Sequence, residues 1–154
     1  MRMFYPLIIS IIVLIDQISK LLIRLLIASK GTIKICSFLK FIEIWNSGIS
    51  FGLFDDLPRN NIIFSLSSII ITCIFTYVLY KTRSKLVRFN FSLIIGGAMG
   101  NLIDRVYWGA VYDFIDIKII KWHWPTFNLA DTFIVIGMLL LIFKWYVYDL
   151  IKKA

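Results

Sequence analysis

The sequence predicts a mainly α-helical, polytopic membrane protein with four transmembrane helices, and three observations carry that expectation. Hydrophobic residues make up 60% and aromatic residues 16% of the 154-residue chain, with a mean hydropathy of +0.85. A single soluble domain of this length could not bury so much apolar surface, so the bilayer must serve as part of the solvent. The apolar residues fall into four segments, each near the roughly 20 residues a helix needs to cross about 30 Å of hydrocarbon. The net charge is +8, from 17 basic and 9 acidic residues, and the bases lie beside the apolar runs. That placement suits contact with anionic membrane lipids and control of topology, not nucleic acid.

The first helix is expected over about 4–27, interrupted by Asp16-Gln17-Ile18-Ser19-Lys20. The opening MRMFYPLIIS resembles a signal peptide, but no small-residue cleavage site follows and apolar character resumes beyond Lys20. It reads as a retained anchor. The outer segment, about 28–61, is too long for a tight turn. Partial alternation of Phe41, Glu43 and Trp45 against Ile42 and Ile44 predicts short strands on the membrane surface. Asp55-Asp56-Leu57-Pro58 reads as a turn ahead of helix two. Helix two, about 62–80, carries no charge; helix three spans about 89–107; helix four, about 129–148, has Lys144 near its end, able to snorkel.

Orientation follows from the connections. Arg2, the run Lys81 to Arg88 with four bases, and Lys152-Lys153 are expected on the cytoplasmic side, which puts both termini inside. Seven bases then lie inside against six outside (Lys30, Lys34, Lys40, Arg59, Lys118 and Lys121), and their density in the short inner segments decides the direction. The two cysteines, Cys36 and Cys73, form no CxxC motif and are not expected to pair, since Cys73 lies in an uncharged apolar run. A zinc site is poorly supplied by a single histidine, His123, which reads as interfacial. No metal or cofactor is expected.

Polar residues inside such a chain need a reason, because each costs about 3 kcal/mol at mid-bilayer. Asp16 and Lys20 are spaced for a helical ion pair, acid first. They read as a buried structural pair, with substrate contact as the competing role. Asn46-Ser47-Gly48 opens a glycine-rich turn whose amide could bond an extended peptide. Gly96, Gly97 and Gly100 form a small-residue face for close helix packing. Asn101, Asp104 and Arg105 share one side of helix three, and Arg105 is expected to keep Asp104 ionised. Asn128 and Asp131 have the spacing of an N-cap and the acid three residues on, at the start of helix four. A rigid cap and a catalytic group can be the same carboxylate. Asp113 and Asp116 sit in a short polar connection, each readable as an exposed loop charge, and spacing does not choose between them. Ser19 beside Lys20 makes no dyad, since helical neighbours point about 100° apart.

Together these residues resemble the lipoprotein signal peptidases (signal peptidase II), membrane aspartic peptidases of bacteria. The resemblance covers nearly the whole chain and rests on four blocks: Asp-Gln-Ile-Ser-Lys (16–20), Asn-Ser-Gly-Ile-Ser-Phe-Gly (46–52), Gly-Gly-Ala-Met-Gly-Asn-Leu-Ile-Asp-Arg (96–105) with Val-Tyr-Asp-Phe (111–114), and Phe-Asn-Leu-Ala-Asp (127–131). Ile49-Ser50 stands where the family usually has two alanines, and Tyr112 where a valine is common. The resemblance implies a single membrane-embedded peptidase domain, with an outer-surface β-cradle and a short surface helix drawn from about 28–61. It implies a catalytic dyad of Asp113 and Asp131, with Asp104, Arg105, Asn46, Asn101 and Asn128 in support and substrate contact. The implied substrate is a lipid-modified prolipoprotein, cut just before its diacylglyceryl cysteine in the bacterial cytoplasmic membrane, near the extracytoplasmic surface, by a monomer. Two rivals compete with this reading. One is a small four-helix proton-coupled transporter using Asp16. The other is a structural membrane subunit, which leaves the cluster from Asn101 to Asp131 without purpose.

Overall fold

The computed structural model describes residues 4–48 and 60–153. In chain order the elements are α1 (Phe4–Lys30), β1 (Ile33–Lys34), β2 (Leu39–Asn46), α2 (Asn60–Lys81), α3 (Lys85–Trp108), β3 (Val111–Ile119), β4 (Trp122–His123) and α4 (Leu129–Lys153). All four helices contain windows long and apolar enough to cross a membrane. The expected helices are therefore present, each longer than predicted at one end or both. α3 starts at Lys85 because Ser84 caps it, its Oγ accepting the Val87 N–H. It stops where Gly109 takes a left-handed φ of 75° and returns its N–H to the Arg105 carbonyl. Lys144 does not end free at the surface: its Nζ donates to Ser84 Oγ at 2.8 Å, tying α4 to the α2–α3 turn.

α3 is the central helix. More than half of its apolar window (56%) is buried inside the protein against 6% for α2, whose isoleucines face outward as lipid-facing side chains should. The glycine face expected of α3 explains how neighbours approach it. A Cβ built on Gly96 would lie 2.8 Å from Ile12 Cβ, and one on Gly100 2.6 Å from Asp16 Oδ2. With the Lys20–Asp104 ion pair, these contacts advance by four on each helix, so α1 and α3 run parallel. On the other side, Gly97 meets the Ala130 carbonyl while Gly137 meets Ile94 and Asn90, so α3 and α4 are antiparallel.

That arrangement brings both longer connections to one end of the bundle. They form a single antiparallel sheet in the order β1-β2-β3-β4. In the β2–β3 register Ile44 faces Asp113, Trp45 faces Tyr112 and Asn46 faces Val111, with an irregularity between Phe41 and Ile44. The strand expected over 41–45 is present. The reading of 111–119 as a polar connection with exposed acids is wrong. This stretch is β3, and Asp113 and Asp116 are both buried in it. Asp116 faces Lys40 across the strands, at 3.0 Å, and His123 Nδ1 lies 2.8 Å from its Oδ1. Burial raises the Asp116 pKa, but the His123 and Lys40 contacts outweigh it and hold the carboxyl below its ordinary range. The cradle thus draws on β3 and β4 as well as on 28–61. The short surface helix, the turn at Asp55-Asp56-Leu57-Pro58 and the 49–52 end of the glycine-rich turn lie outside the described residues.

Candidate active site

The site lies where α3, the first turn of α4 and the β2–β3 pair converge. Asn128 and Asp131 close α4 reciprocally: the Asp131 N–H donates to Asn128 Oδ1 at 3.0 Å, and the Asn128 N–H donates to Asp131 Oδ2 at 3.2 Å. This is a capping box, so the Asp131 carboxylate is fixed by the same bonds that start the helix.

A lysine sets the rest. Lys20 Nζ lies 2.8 Å from Asp16 Oδ2, 2.7 Å from Asp104 Oδ2 and 3.1 Å from Asn101 Oδ1. Its three N–H donors are all used. Because an ammonium can only donate, it fixes which end of the Asn101 amide is oxygen. The Asn101 Nδ2 must then point away, and it donates to Asp131 Oδ1 at 2.7 Å. Asn128 Nδ2 also donates to Asn101 Oδ1, at 3.1 Å, and to Asp113 Oδ1, at 2.7 Å. From β2, Asn46 Nδ2 donates to Asp113 Oδ2 at 3.0 Å, its own Oδ1 accepting the Gly48 N–H at 3.1 Å. The two carboxyls are thereby joined through Asn128 and Asn101, and both line one cavity of about 140 Å³ with Asn46, Gly48, Asn101, Arg105 and Val111. Burial, and then the charge of Asp131, push the Asp113 pKa up to about 7, against the lowering effect of the Asn46 and Asn128 amides.

Among the predicted site residues, Asp16 and Lys20 form the expected buried pair, but their partners extend further. Asp16 Oδ1 also accepts the Ala130 N–H at 2.9 Å, pinning α1 to the start of α4. Arg105 is not the partner of Asp104: Lys20 is, together with the Tyr112 N–H at 3.1 Å. Arg105 instead lines the cavity, its guanidinium 6.0 Å from the Phe64 ring centre and its buried Nε without a hydrogen-bond partner among the described residues. Gln17 has a role that the sequence reading missed. Its Nε2 reaches Asp104 Oδ1 at 2.9 Å, and the Gly100 carbonyl and Asp16 Oδ2 at 3.2 Å each. The available signal was its place three residues before Lys20, on the face that meets α3. Ser19 turns its hydroxyl onto the Asp16 carbonyl and takes no part. Among the described residues no group of three or more His, Cys, Asp or Glu side chains is placed to hold a metal ion.

A family model described as signal peptidase (SPase) II matches residues 8–147. The chain belongs to the signal peptidase II family. Relatives in it include the lipoprotein signal peptidase of Anaplasma phagocytophilum, 46% identical over 132 residues, covering 86% of this chain and 85% of that protein. The lipoprotein signal peptidase of Thermodesulfovibrio yellowstonii is 39% identical over 136 residues, covering 88% and 90%. A solved structure of a bacterial membrane enzyme is 30% identical, with a TM-score of 0.81 over 97% of this chain and 91% of that one. Family membership and the four spans make this a multi-pass membrane peptidase. The transporter reading is left without support: the family is a peptidase family, and Asp16 is saturated by Lys20, Gln17 and the Ala130 N–H rather than open to a moving ion.

Proposed function

We propose that this signal peptidase II family member is an aspartic endopeptidase that removes the signal peptide from lipid-modified prolipoproteins, cutting just before the diacylglyceryl cysteine. The observation that carries the catalytic type is the meeting of Asp113 and Asp131, from a strand and a helix, on one small cavity. Two carboxyls sharing so confined a space cannot both ionise readily, so the pair holds one proton near neutrality and titrates as a unit. The ionised carboxylate takes a proton from water as the water oxygen bonds to the scissile carbonyl carbon. The protonated carboxyl gives its proton to the carbonyl oxygen. Collapse of the tetrahedral intermediate breaks the C–N bond: the carboxyl that took the water proton gives it to the departing amine. The other carboxylate takes back a proton from a gem-diol hydroxyl as the C=O re-forms, which restores the singly protonated pair. Arg105, whose Nε has no hydrogen-bond partner among the described residues, and the Asn46–Gly48 turn hold the peptide backbone extended beside the dyad in this reading. The sheet end of the bundle then faces the extracytoplasmic side, where a lipid-anchored substrate enters laterally with its acyl chains still in the bilayer.

The test is incubation of the purified protein with a diacylglyceryl-modified precursor. Wild type is expected to release the signal peptide, while Asp113→Asn and Asp131→Asn insert normally and release none. Full activity in either variant rejects the dyad.

A further inference from the structure

Successive strand residues face opposite sides of a sheet, so the dyad has a reverse side. Val111, Asp113 and Asn46 face the catalytic cavity, whereas Tyr112 and its cross-strand neighbour Trp45 face away from it, toward α1. There a separate cavity of about 310 Å³ is lined by Arg24, Lys20, Gln17, Trp45, Trp108 and Tyr112 among others, and it shares no lining residue with the catalytic one.

Four observations describe what this cavity would take. Arg24 has no carboxylate partner among the described residues; its guanidinium lies 4.7 Å from the Trp108 ring centre. Tyr112 is 2% exposed, yet its hydroxyl has no hydrogen-bond partner among the described residues, so a buried donor is left unmet there. Trp45 packs on both Tyr112 and Trp108, making an aromatic wall about 30 Å along α1 from Phe4, at the depth where interfacial aromatics sit. Finally, Ile18 and Leu21 continue the lining onto the exposed apolar stripe of Leu14, Ile18, Leu21 and Leu25, which faces lipid. Two acids lie nearby. Asp104 lines the cavity but is ion-paired to Lys20. Glu43 accepts the Trp45 indole N–H at 2.9 Å and keeps its charge on the Tyr112 side, leaving Arg24 as the cation that must outweigh it.

We infer that Arg24 and the Tyr112 hydroxyl form, with Trp45 and Trp108, a headgroup site for an anionic phospholipid whose acyl chains lie along the exposed stripe of α1. An unpaired guanidinium and a phenol O–H supply donors for phosphate oxygens, and the flanking apolar surface accommodates chains that free phosphate lacks.

The experiment uses the full-length protein in neutral detergent, titrated separately with phosphatidylglycerol, phosphatidylcholine and inorganic phosphate, with bound lipid read by native mass spectrometry and unfolding by a thermal shift. Phosphatidylglycerol is expected to bind and raise the unfolding temperature more than phosphatidylcholine, with inorganic phosphate without effect. Arg24→Gln should weaken phosphatidylglycerol binding about tenfold and Tyr112→Phe roughly fivefold. Cleavage by Arg24→Gln should remain at the wild-type rate, which separates this site from the peptidase reading. Equal responses to the two lipids overturn the proposal, as does stabilisation by phosphate alone or wild-type titration by both variants. If Arg24→Gln does not fold, Tyr112→Phe decides, since it removes one oxygen and leaves the ring packing and the backbone bond to Asp104 in place.

Discussion

At the scale of single residues, Asp113 carries the pH behaviour. Its pKa, raised to about 7 chiefly by burial, means the folded protein holds a proton that the unfolded carboxyl releases near pH 4. The sign follows: this group's contribution to stability is fully present below about pH 4 and is lost as pH rises through about 7. For activity, the alkaline side of the kcat/KM profile should fall with an apparent pKa near 7, as the dyad loses its last proton. Because the Asn46 amide favours the charged carboxylate, Asn46→Ala should move that alkaline limb to higher pH. A limb that stays in place in the variant, measured on the lipidated precursor, contradicts this account. Asp16 behaves differently, its carboxyl being held by Lys20, Gln17 and the Ala130 N–H outside the lining of the catalytic cavity. Asp16→Ala leaves the Ala130 N–H without its acceptor and takes from Lys20 one of its two carboxylates, Asp104 and Asn101 remaining, and is expected to cost about 1–3 kcal/mol of stability. Protein level and unfolding temperature should fall more than turnover per folded molecule. Normal accumulation with no turnover would show that Asp16 acts in the chemistry.

At the scale of elements, the critical contact is α3 against α4, because it sets where Asp131 stands relative to Asn101. A Cβ at Gly97 would collide with the Ala130 carbonyl, and backbone cannot rotate aside as a side chain can. Gly97→Ala is therefore expected to cost about 1–3 kcal/mol and to impair cleavage by shifting the start of α4. A wild-type unfolding temperature in this variant would show that the helices yield there freely. The elements also show what the sequence carries openly and what it does not. Helix spans are legible because twenty apolar residues have few alternatives, and the glycine face because Gly96, Gly97 and Gly100 recur on helical spacing. β3 is not legible, since a strand buried along both faces at its start shows no alternation, and an aspartate in it imitates a loop. Once the strand is known, the choice between Asp113 and Asp116 becomes physical. Three residues apart on a strand, they face opposite sides, one toward Asn46 and the cavity, the other toward His123. The pairing of Asp104 was misread for a similar reason: its cation, Lys20, comes from a helix 84 positions earlier in sequence, which local spacing cannot reveal.

At the scale of the whole molecule, the parallel run of α1 and α3 obliges both polar connections, and with them the sheet and the dyad, to emerge at a single end of the bundle. The four-base run around the α2–α3 turn and the C-terminal lysines are at the other end, which we propose, from the charge bias, to be cytoplasmic. The two native cysteines report on this without any substitution. Cys36 is exposed in the connection between β1 and β2, at the sheet end, whereas Cys73 is exposed on α2 in the middle of its apolar span, where hydrocarbon excludes water. Maleimide reacts with the hydrated thiolate, so Cys73 should stay unlabelled in intact membranes whichever way the protein is inserted. Cys36 should react with a membrane-impermeant maleimide added to whole spheroplasts, before any permeabilisation, and Cys36→Ser should abolish that labelling. Labelling only after the membrane is opened would place the sheet, and the dyad beneath it, on the cytoplasmic face, away from exported substrate.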